Sequence, residues 1–227
     1  MKESTSKEKV LKKVRDALVN AMPPPYDGVD LESPVLHPPH TPYPEEAFAA
    51  SFSEAGGKFV FCQSVHEMAT GIQALLEQRN LKMIFCRETF IADLLNELGA
   101  PHTGETGKAH ECDAAVTACE ALVARHGSIL FCSRQACGRR GFIVAPLHIV
   151  VATSQQLVYD LTDAFKLMHE RYPEKLPSMI SLVSGPSRTA DIEKTLVLGA
   201  HGPGELFLFM LDVESVEEDV REKDEAL

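Results

Sequence analysis

From residue 47 onward, short apolar runs alternate with stretches in which apolar residues recur every three or four positions. The runs predict β-strands and the recurring pattern predicts helices between them. The predicted strands lie at residues 58–62, 82–86, 113–117, 128–133, 178–184 and 205–211, with one or two more in 141–153. The predicted helices span residues 64–80, 88–100, 118–127, 154–172 (with Ser154 as N-cap) and 189–199. This alternation is typical of an α/β protein in which helices cover both faces of a mostly parallel sheet.

The first 46 residues follow a different pattern. Apolar positions in residues 6–20 have the spacing of an amphipathic helix, and the residues that follow are rich in proline. Proline excludes a regular helix or a central strand, so residues 21–46 are predicted to form an extended strap. We therefore expect an N-terminal helix and strap in residues 1–46, an α/β domain in residues 47–212, and an acidic tail in residues 213–227.

The charge balance narrows the classes of partner. The 227 residues include 22 Lys and Arg against 33 Asp and Glu, which gives a formal net charge of −11. Nucleic acids and anionic membranes need concentrated positive charge and are therefore not expected as partners. The N-terminal stretch has no apolar signal core, and no apolar run reaches the roughly 18 residues of a membrane span. These features favour a cytoplasmic protein.

The cysteines do not predict a cofactor. Three of the six end apolar runs, at Cys62, Cys86 and Cys132, which indicates buried reduced thiols. The short His and Cys pairs have no second half at zinc-ligand spacing, and no run has the spacing of an iron–sulfur motif. Walker, GxGxxG and GxSxG motifs are also absent from the sequence. We expect neither a metal nor a cofactor.

The stretch "SGPSRTADIEKTLVLGAHGP" (184–203) carries the main candidate site. It follows a predicted strand, and in parallel sheets ligands bind outside the carboxyl ends of the strands. Free N–H groups at the start of the predicted helix 189–199 and the guanidinium of Arg188 would attract an anion. The candidate ligand-binding residues in this turn are Ser184, Gly185, Ser187, Arg188, Thr189 and Asp191. The alternative is a capped turn in which Arg188 pairs with Asp191 or a surface acid.

Further candidates lie elsewhere in the chain. Arg139 and Arg140 follow the predicted strand 128–133 and are expected to share the carboxyl edge with Arg188, unless they lie in a solvated loop. Thr117 ends a predicted strand. His148 lies in a strand, where a lone histidine is more often a core residue than a ligand. His201 and Gly202 lie beyond helix 189–199 and are expected on the opposite edge, at an interface or in a Gly-Pro-Gly turn.

Three stretches resemble the lactate-utilisation protein C family. They are "SGPSRTADIEKTLVLGAHGP", "VTACEALVARHGSILF" and "RRGFIVAPLHIVV". The resemblance adds Gly127 and Ser128 to the candidate ligand-binding residues. One departure is clear: Arg125 and His126 stand where the family commonly has Glu-Thr. The resemblance implies a fold like the ribose-phosphate isomerase and CoA-transferase superfamily.

The resemblance also implies a function. It suggests an accessory component of L-lactate oxidation to pyruvate that acts with iron–sulfur partner proteins and binds a small anion. A second hypothesis is a stand-alone isomerase- or CoA-transferase-like enzyme, for which Asp191, Glu193 and Glu120 are the available acids. A third is a regulatory subunit controlled by a ligand. The sequence leaves open whether the protein is an enzyme and how it oligomerises.

Overall fold

The structure is a computed structural model that describes residues 5–19, 43–189 and 197–213. The chain divides into two compact units, residues 1–38 and 39–227. In the first unit, α1 spans Ser6–Val19 as predicted, and none of its residues is buried. The proline-rich strap predicted up to residue 42, and the tail after Val213, lie outside the described residues.

The second unit combines four further helices with twelve strands in the described part of the chain. The helices are α2 (Pro44–Glu54), α3 (Val65–Gln78), α4 (Thr89–Glu97) and α5 (Leu161–Arg171). The first six strands are β1 (Lys58–Cys62), β2 (Ile84–Phe85), β3 (His102–Thr103), β4 (Ala114–Thr117), β5 (Ala121–Val123) and β6 (Ser128–Cys132). The others are β7 (Leu147–Thr153), β8 (Leu157–Val158), β9 (Ile180–Val183), β10 (Arg188–Thr189), β11 (Val197–Leu198) and β12 (Glu205–Leu211).

The main sheet has six strands in the order β1-β12-β7-β4-β2-β3. Every neighbouring pair in it is parallel. One face of this sheet packs on α3 and α4, whose apolar stripes include Ile72 and Ile91, both fully buried. The predicted α/β class with a parallel sheet flanked by helices is therefore confirmed.

The other face of the main sheet packs on a second sheet, in the order β8-β5-β6-β9. In this sheet β6 runs antiparallel to both β5 and β9. Phe48 and Phe52 of α2 complete the core between the two sheets, and Ala164 and Met168 of α5 cover the outer face of the second sheet. The predicted strands at 128–133 and 178–184 exist, but they lie in this second sheet.

Three predicted helices are wrong in part or in whole, and two of them border the second sheet. Residues 118–127 form β5 and a short 3₁₀ turn, because Ala121–Val123 are buried on both sides of the second sheet. The helix predicted at 154–172 begins only at Leu161. Asp160 caps it by accepting a hydrogen bond of 2.8 Å from the Leu161 N–H, and Ser154 instead begins a 3₁₀ turn.

The helix predicted at 189–199 is wrong at both ends. Arg188–Thr189 and Val197–Leu198 pair as the antiparallel strands β10 and β11. The intervening residues 190–196, including the candidate Asp191 and the acid Glu193, lie outside the described residues. The main sheet is unaffected, because β10 and β11 form a separate pair.

Helix α2 was not predicted, and it crosses the expected domain boundary at residue 46. Pro44 lies in its first turn, where the missing proline N–H has no helical partner to lose. A β-carbon on Gly127 would lie 2.5 Å from the Cα of Phe52, so only glycine allows α2 to approach the second sheet this closely. Gly127 also has a φ of +57°, which favours glycine.

The contact between Gly127 and α2 is tested by replacing each of two glycines with alanine. Gly138 has a similar φ of +63° but would place its β-carbon in open space. We expect Gly138→Ala to lower the free energy of unfolding by about 1 kcal/mol through backbone strain alone. Gly127→Ala should cost roughly 3 kcal/mol or more, because overpacking against α2 adds to that strain. Urea titration measures both, and equal losses would contradict the close-packing argument.

Candidate functional site

A cavity of about 220 Å³ lies between the two sheets. Its walls come from β7, β9 and β12, from the loop before β7, and from the turns on either side of the β10–β11 pair. The lining residues are Phe142, Ile143, His148, Leu182, Val183, Gly185, Pro186, Ser187, His201, Gly202, Pro203 and Leu206. Most of these are apolar, with a few polar groups among them, which is the usual composition of a small-molecule site.

The two turns of the signature stretch meet at this cavity. Antiparallel pairing of β10 with β11 folds the chain back, so the Ser187 N–H donates to the Pro203 carbonyl at 2.8 Å and the Gly199 N–H donates to the Ser187 carbonyl at 3.0 Å. The expectation that His201 and Gly202 lie on the opposite edge from Ser187 is therefore wrong. It assumed a helix of residues 189–199 that would have held the turns apart.

Gly185 shapes one wall of the cavity. Its φ of +77° favours glycine, and a β-carbon there would lie 2.9 Å from the carbonyl carbon of Ala55, just after α2. The turn can therefore pack directly on the end of α2. Ser184, the preceding residue, shares a hydrogen bond of 2.6 Å with Ser128, which joins the ends of β9 and β6.

His148 is the most deeply buried polar side chain of the cavity, with only 1% of its surface exposed. Its Nε2 lies 2.8 Å from the hydroxyl oxygen of Thr117, which is fully buried on the neighbouring strand β4. The Phe131 ring lies against it, at 5.4 Å between ring centroids. Burial lowers the pKa of His148 to about 3, so the imidazole is neutral at physiological pH.

The cavity lies near the amino ends of the main-sheet strands. His148 and Leu206 are the second residues of β7 and β12. From the sequence, the site was expected at the carboxyl ends of the strands. That expectation follows a rule for ligand sites that holds for one open sheet with helices on both faces. Here a second sheet covers one face, and the cavity forms between the sheets.

The carboxyl edge holds a wider cleft of about 480 Å³. It is lined by Tyr43, Glu45, Glu46, Phe61, Ser154, Gln155 and Asp212. Three carboxylates among these residues oppose an anionic ligand, and none of the candidate ligand-binding residues predicted from the sequence lines this cleft.

Arg188 does not line the cavity. Its guanidinium donates to the Ala55 carbonyl, and it lies along a separate groove that also contains Lys58, Glu205 and Leu198. Thr189 pairs with Val197 in the β10–β11 ladder. Neither residue begins a helix, so the anion-binding helix N-terminus expected here is not formed by the described residues.

The three arginines are not brought together. Arg139 donates to the Ser178 hydroxyl at 2.6 Å, and Ser178 precedes β9 whereas Ser184 follows it. At about 3.3 Å per strand residue, these two serines are roughly 20 Å apart. Arg140 is exposed in the same loop as Arg139 and does not line the cavity. The expectation that both arginines face the same crevice as Arg188 is therefore wrong.

Arg125, where the sequence departs from the usual Glu-Thr, takes part in an ion pair. Its Nε lies 2.9 Å from an oxygen of Asp160, and its guanidinium stacks over the Tyr159 ring at 4.9 Å. Its backbone N–H also donates to the Tyr159 carbonyl at 3.0 Å. The departure thus ties the turn before β6 to the start of α5.

Glu120 is engaged in a buried network. Its carboxylate accepts from Arg171, from the Tyr172 hydroxyl at 2.8 Å and from the Cys132 thiol at 2.9 Å. Burial, together with the hydrogen bonds to Cys132 and Glu120, raises the pKa of Tyr172. Because these groups occupy the carboxylate, Glu120 fixes α5 on the second sheet and does not face the cavity.

The cysteines and the other potential metal ligands of the described residues form no second candidate site. All six cysteines are buried free thiols, as predicted, and burial raises the pKa of Cys62 to about 11. Among residues 5–19, 43–189 and 197–213, no group of three His, Cys, Asp or Glu side chains could hold a metal ion. No helix in those ranges has the length and apolarity of a membrane span.

Sequence reasoning identified the polar half of the cavity and missed the apolar half. Phe142, Ile143, Val183 and Leu206 looked like ordinary core positions. A signal was present for Phe142 and Ile143, since only Gly141 separates them from the arginines in "RRGFIVAP". The charged residues of that stretch were taken as the candidates, although the apolar ones line the cavity.

The fold and cavity define a class: a two-sheet α/β protein with a cavity between its sheets. The sequence matches the LUD domain family over residues 45–211, which is most of the chain. The chain belongs to this family. The range begins in α2 and ends in β12, so it covers both sheets and the cavity.

Curated relatives match a shorter part of the chain. Lactate utilization protein C of Halalkalibacterium halodurans is 33% identical over 98 residues, which are 42% of this chain and 43% of that protein. Lactate utilization protein C 1 of Bacillus mycoides is 34% identical over 97 residues, 42% of each chain. Lactate utilization protein C of Bacillus subtilis is 30% identical over 98 residues, which are 42% of this chain and 41% of that protein. The chain thus spans about two fifths of the length of these relatives.

A solved structure supports the fold. The crystal structure of a DUF162 family protein from Deinococcus radiodurans superposes with a TM-score of 0.55 and 18% sequence identity. The match covers 74% of this chain and 96% of that chain. The likeness to the ribose-phosphate isomerase and CoA-transferase superfamily stays a prediction.

The burial of His148 makes the free energy of unfolding depend on pH. Because its pKa is lowered from 6.5 to about 3, its contribution to stability is complete above about pH 6.5 and is lost as pH falls toward 3. Relative to His148→Phe, which cannot titrate, the native protein should lose roughly 1.4 kcal/mol of unfolding free energy per pH unit in this window. Urea titrations of both proteins at pH 7 and pH 5 test this, and parallel pH profiles would show that His148 is not buried as a neutral ring.

Proposed function

We infer that this protein is a component of lactate utilisation and that the cavity between its sheets binds a small organic acid such as lactate or pyruvate. The observation that carries the inference is the meeting of both halves of the "SGPSRT…GAHGP" stretch at one cavity. Membership of the LUD domain family, and relatives named for lactate utilisation, support it. Iron–sulfur partner proteins, as the sequence resemblance implies, would carry the electrons of lactate oxidation.

The size and lining of the cavity suit such a ligand. A volume of about 220 Å³ admits a molecule of a few heavy atoms and excludes a whole coenzyme. Apolar walls from Phe142, Val183 and Leu206 accept a methyl group, while the His148 ring, Ser187 and the glycine backbone supply polar contacts.

The lining favours binding over covalent catalysis. An acyl-accepting or general-base carboxylate would have to reach the ligand. No carboxylate lies among the described residues that line the cavity, and Glu120 is held by Arg171 and Tyr172. We therefore favour an accessory or regulatory binding role over a stand-alone isomerase or CoA-transferase.

Growth on L-lactate tests this function in the cell. Removing the gene should abolish growth on L-lactate as sole carbon source, and the native gene should restore it. Val183→Phe, which fills the cavity from β9, should fail to restore growth. The control is Val60→Phe, at another half-buried strand valine that packs on the opposite face of the main sheet. Normal growth of the deletion strain, or equal behaviour of the two variants, would overturn the proposal.

Binding measurements decide between the cavity and the Arg188 groove. By calorimetry, we expect Val183→Phe to weaken pyruvate binding at least tenfold. Arg188→Ala should stay within about threefold of the native affinity, because its guanidinium donates to Ala55 outside the cavity. A ten- to hundredfold loss with Arg188→Ala, the size of a direct charge-assisted contact of about 1.5–3 kcal/mol, would instead place the ligand in the groove.

A further inference from the structure

One nitrogen of His148 has no hydrogen-bond partner among residues 5–19, 43–189 and 197–213. Nε2 bonds to Thr117, and His148 makes no other hydrogen bond in the described part of the chain. Among the described residues, no buried side-chain nitrogen or oxygen lacks a partner, so the unbonded Nδ1 must reach an accessible surface. That surface is the cavity, because His148 lines it and is otherwise buried.

Thr117 decides which nitrogen carries the proton. Its hydroxyl is fully buried and makes no hydrogen bond except the one to His148 among the described residues. If Nε2–H donated to this oxygen, the hydroxyl proton would be buried without an acceptor, which is costly. The satisfied arrangement has the Thr117 hydroxyl donating to Nε2. A neutral imidazole then carries its proton on Nδ1.

We propose that Thr117 holds His148 as the Nδ1–H tautomer, and that this N–H is a hydrogen-bond donor that selects ligands with an oxygen acceptor at that point. The inference rests on the proposed ligand site and names its chemical preference: 2-oxo and 2-hydroxy acids are accepted, and 2-amino acids are rejected. Thr117 is a positioning residue, since it acts through His148.

The selectivity depends on whether Nδ1 presents a hydrogen-bond donor or an acceptor to the ligand. The carbonyl oxygen of pyruvate and the hydroxyl oxygen of L-lactate can both accept from Nδ1–H. The ammonium group of L-alanine has donors only, so it would face another donor in a buried cavity and leave both unsatisfied. The opposite tautomer would present a lone pair, which accepts from the ammonium group and opposes the pyruvate carbonyl. The two tautomers therefore predict opposite preferences among molecules of similar size.

The tautomer is measured without any ligand. In the full-length protein labelled with ¹⁵N-histidine, long-range ¹H–¹⁵N NMR spectra at pH 7 should show the His148 proton on Nδ1, with His148→Phe used to assign the signal. Thr117→Val removes the hydroxyl at nearly constant volume and should shift the population toward Nε2–H. Thr117→Ser keeps the hydroxyl and should retain the native pattern. A proton on Nε2 in the native protein would overturn the proposal.

Ligand selectivity is measured by calorimetry with pyruvate, L-lactate and L-alanine. We expect L-alanine to bind at least tenfold more weakly than the other two. Thr117→Val should weaken pyruvate binding about three- to tenfold, the size of one neutral hydrogen bond, while Thr117→Ser stays within twofold. Equal affinity for alanine and lactate would overturn the selectivity. If Nδ1–H is observed but none of the three acids binds, the tautomer stands and the ligand of the proposed function is wrong.

Discussion

The close approach of the end of α2 to two glycines fixes the geometry on which the cavity depends. Gly127 leaves room for the backbone of Phe52, and Gly185 leaves room for Ala55. Both glycines have positive φ, so other residues would introduce strain as well as a clash. Through these contacts one short helix positions the turn before β6 and the turn after β9. The Arg188 guanidinium, which donates to the Ala55 carbonyl, adds a third contact at the same helix end.

Face-to-face packing of two sheets then creates the chemistry of the site. A histidine on one open sheet would stay hydrated and would titrate near its ordinary pKa. Here the second sheet, with the Phe131 ring, leaves only 1% of His148 exposed, so the ring is neutral, and in the proposed arrangement one hydroxyl places its single proton. In the proposed function, the cavity would recognise its ligand through the direction of a hydrogen bond and not through a full charge at that point.

The sequence predicted the main sheet well because its strands are apolar on both faces. The strands β1, β4 and β12 and the helices α3 and α4 lie within one or two residues of their predicted positions at most ends. The helix predicted at residues 118–127 was wrong because a three-residue strand buried on both sides has no periodicity that distinguishes it from a helix. The predicted range ended at the right residue, but Gly127 ends a 3₁₀ turn and not a helix. The division of strands between two sheets has no local signal.

For the site as for the fold, the sequence indicated single residues and turns but not how they come together. The turn at 184–189 and Thr117 were singled out because they follow or end predicted strands, and His148 because a histidine is uncommon in a buried strand. Their convergence was not found, because it depends on the β10–β11 pairing that replaces a predicted helix. For His148, the sequence analysis treated a role in the core and a role in ligand binding as alternatives. In the structure it is buried in the core and also lines the cavity, so the two roles are compatible.

The ligand proposed here, a small acid, would have to approach a chain whose formal net charge is −11. At physiological ionic strength, charges are screened beyond about 8 Å, so the local distribution of charge decides the approach and not the total. Pro186 separates the cavity from the neighbouring groove, which contains Lys58 and Arg188. Arg79 joins Lys58 on the same carboxylate, that of Glu205, while Arg188 in the same groove donates to the Ala55 carbonyl. For the proposed ligand, these cations beside an apolar cavity with a neutral donor would favour the approach of an anion without placing an unpaired cation inside.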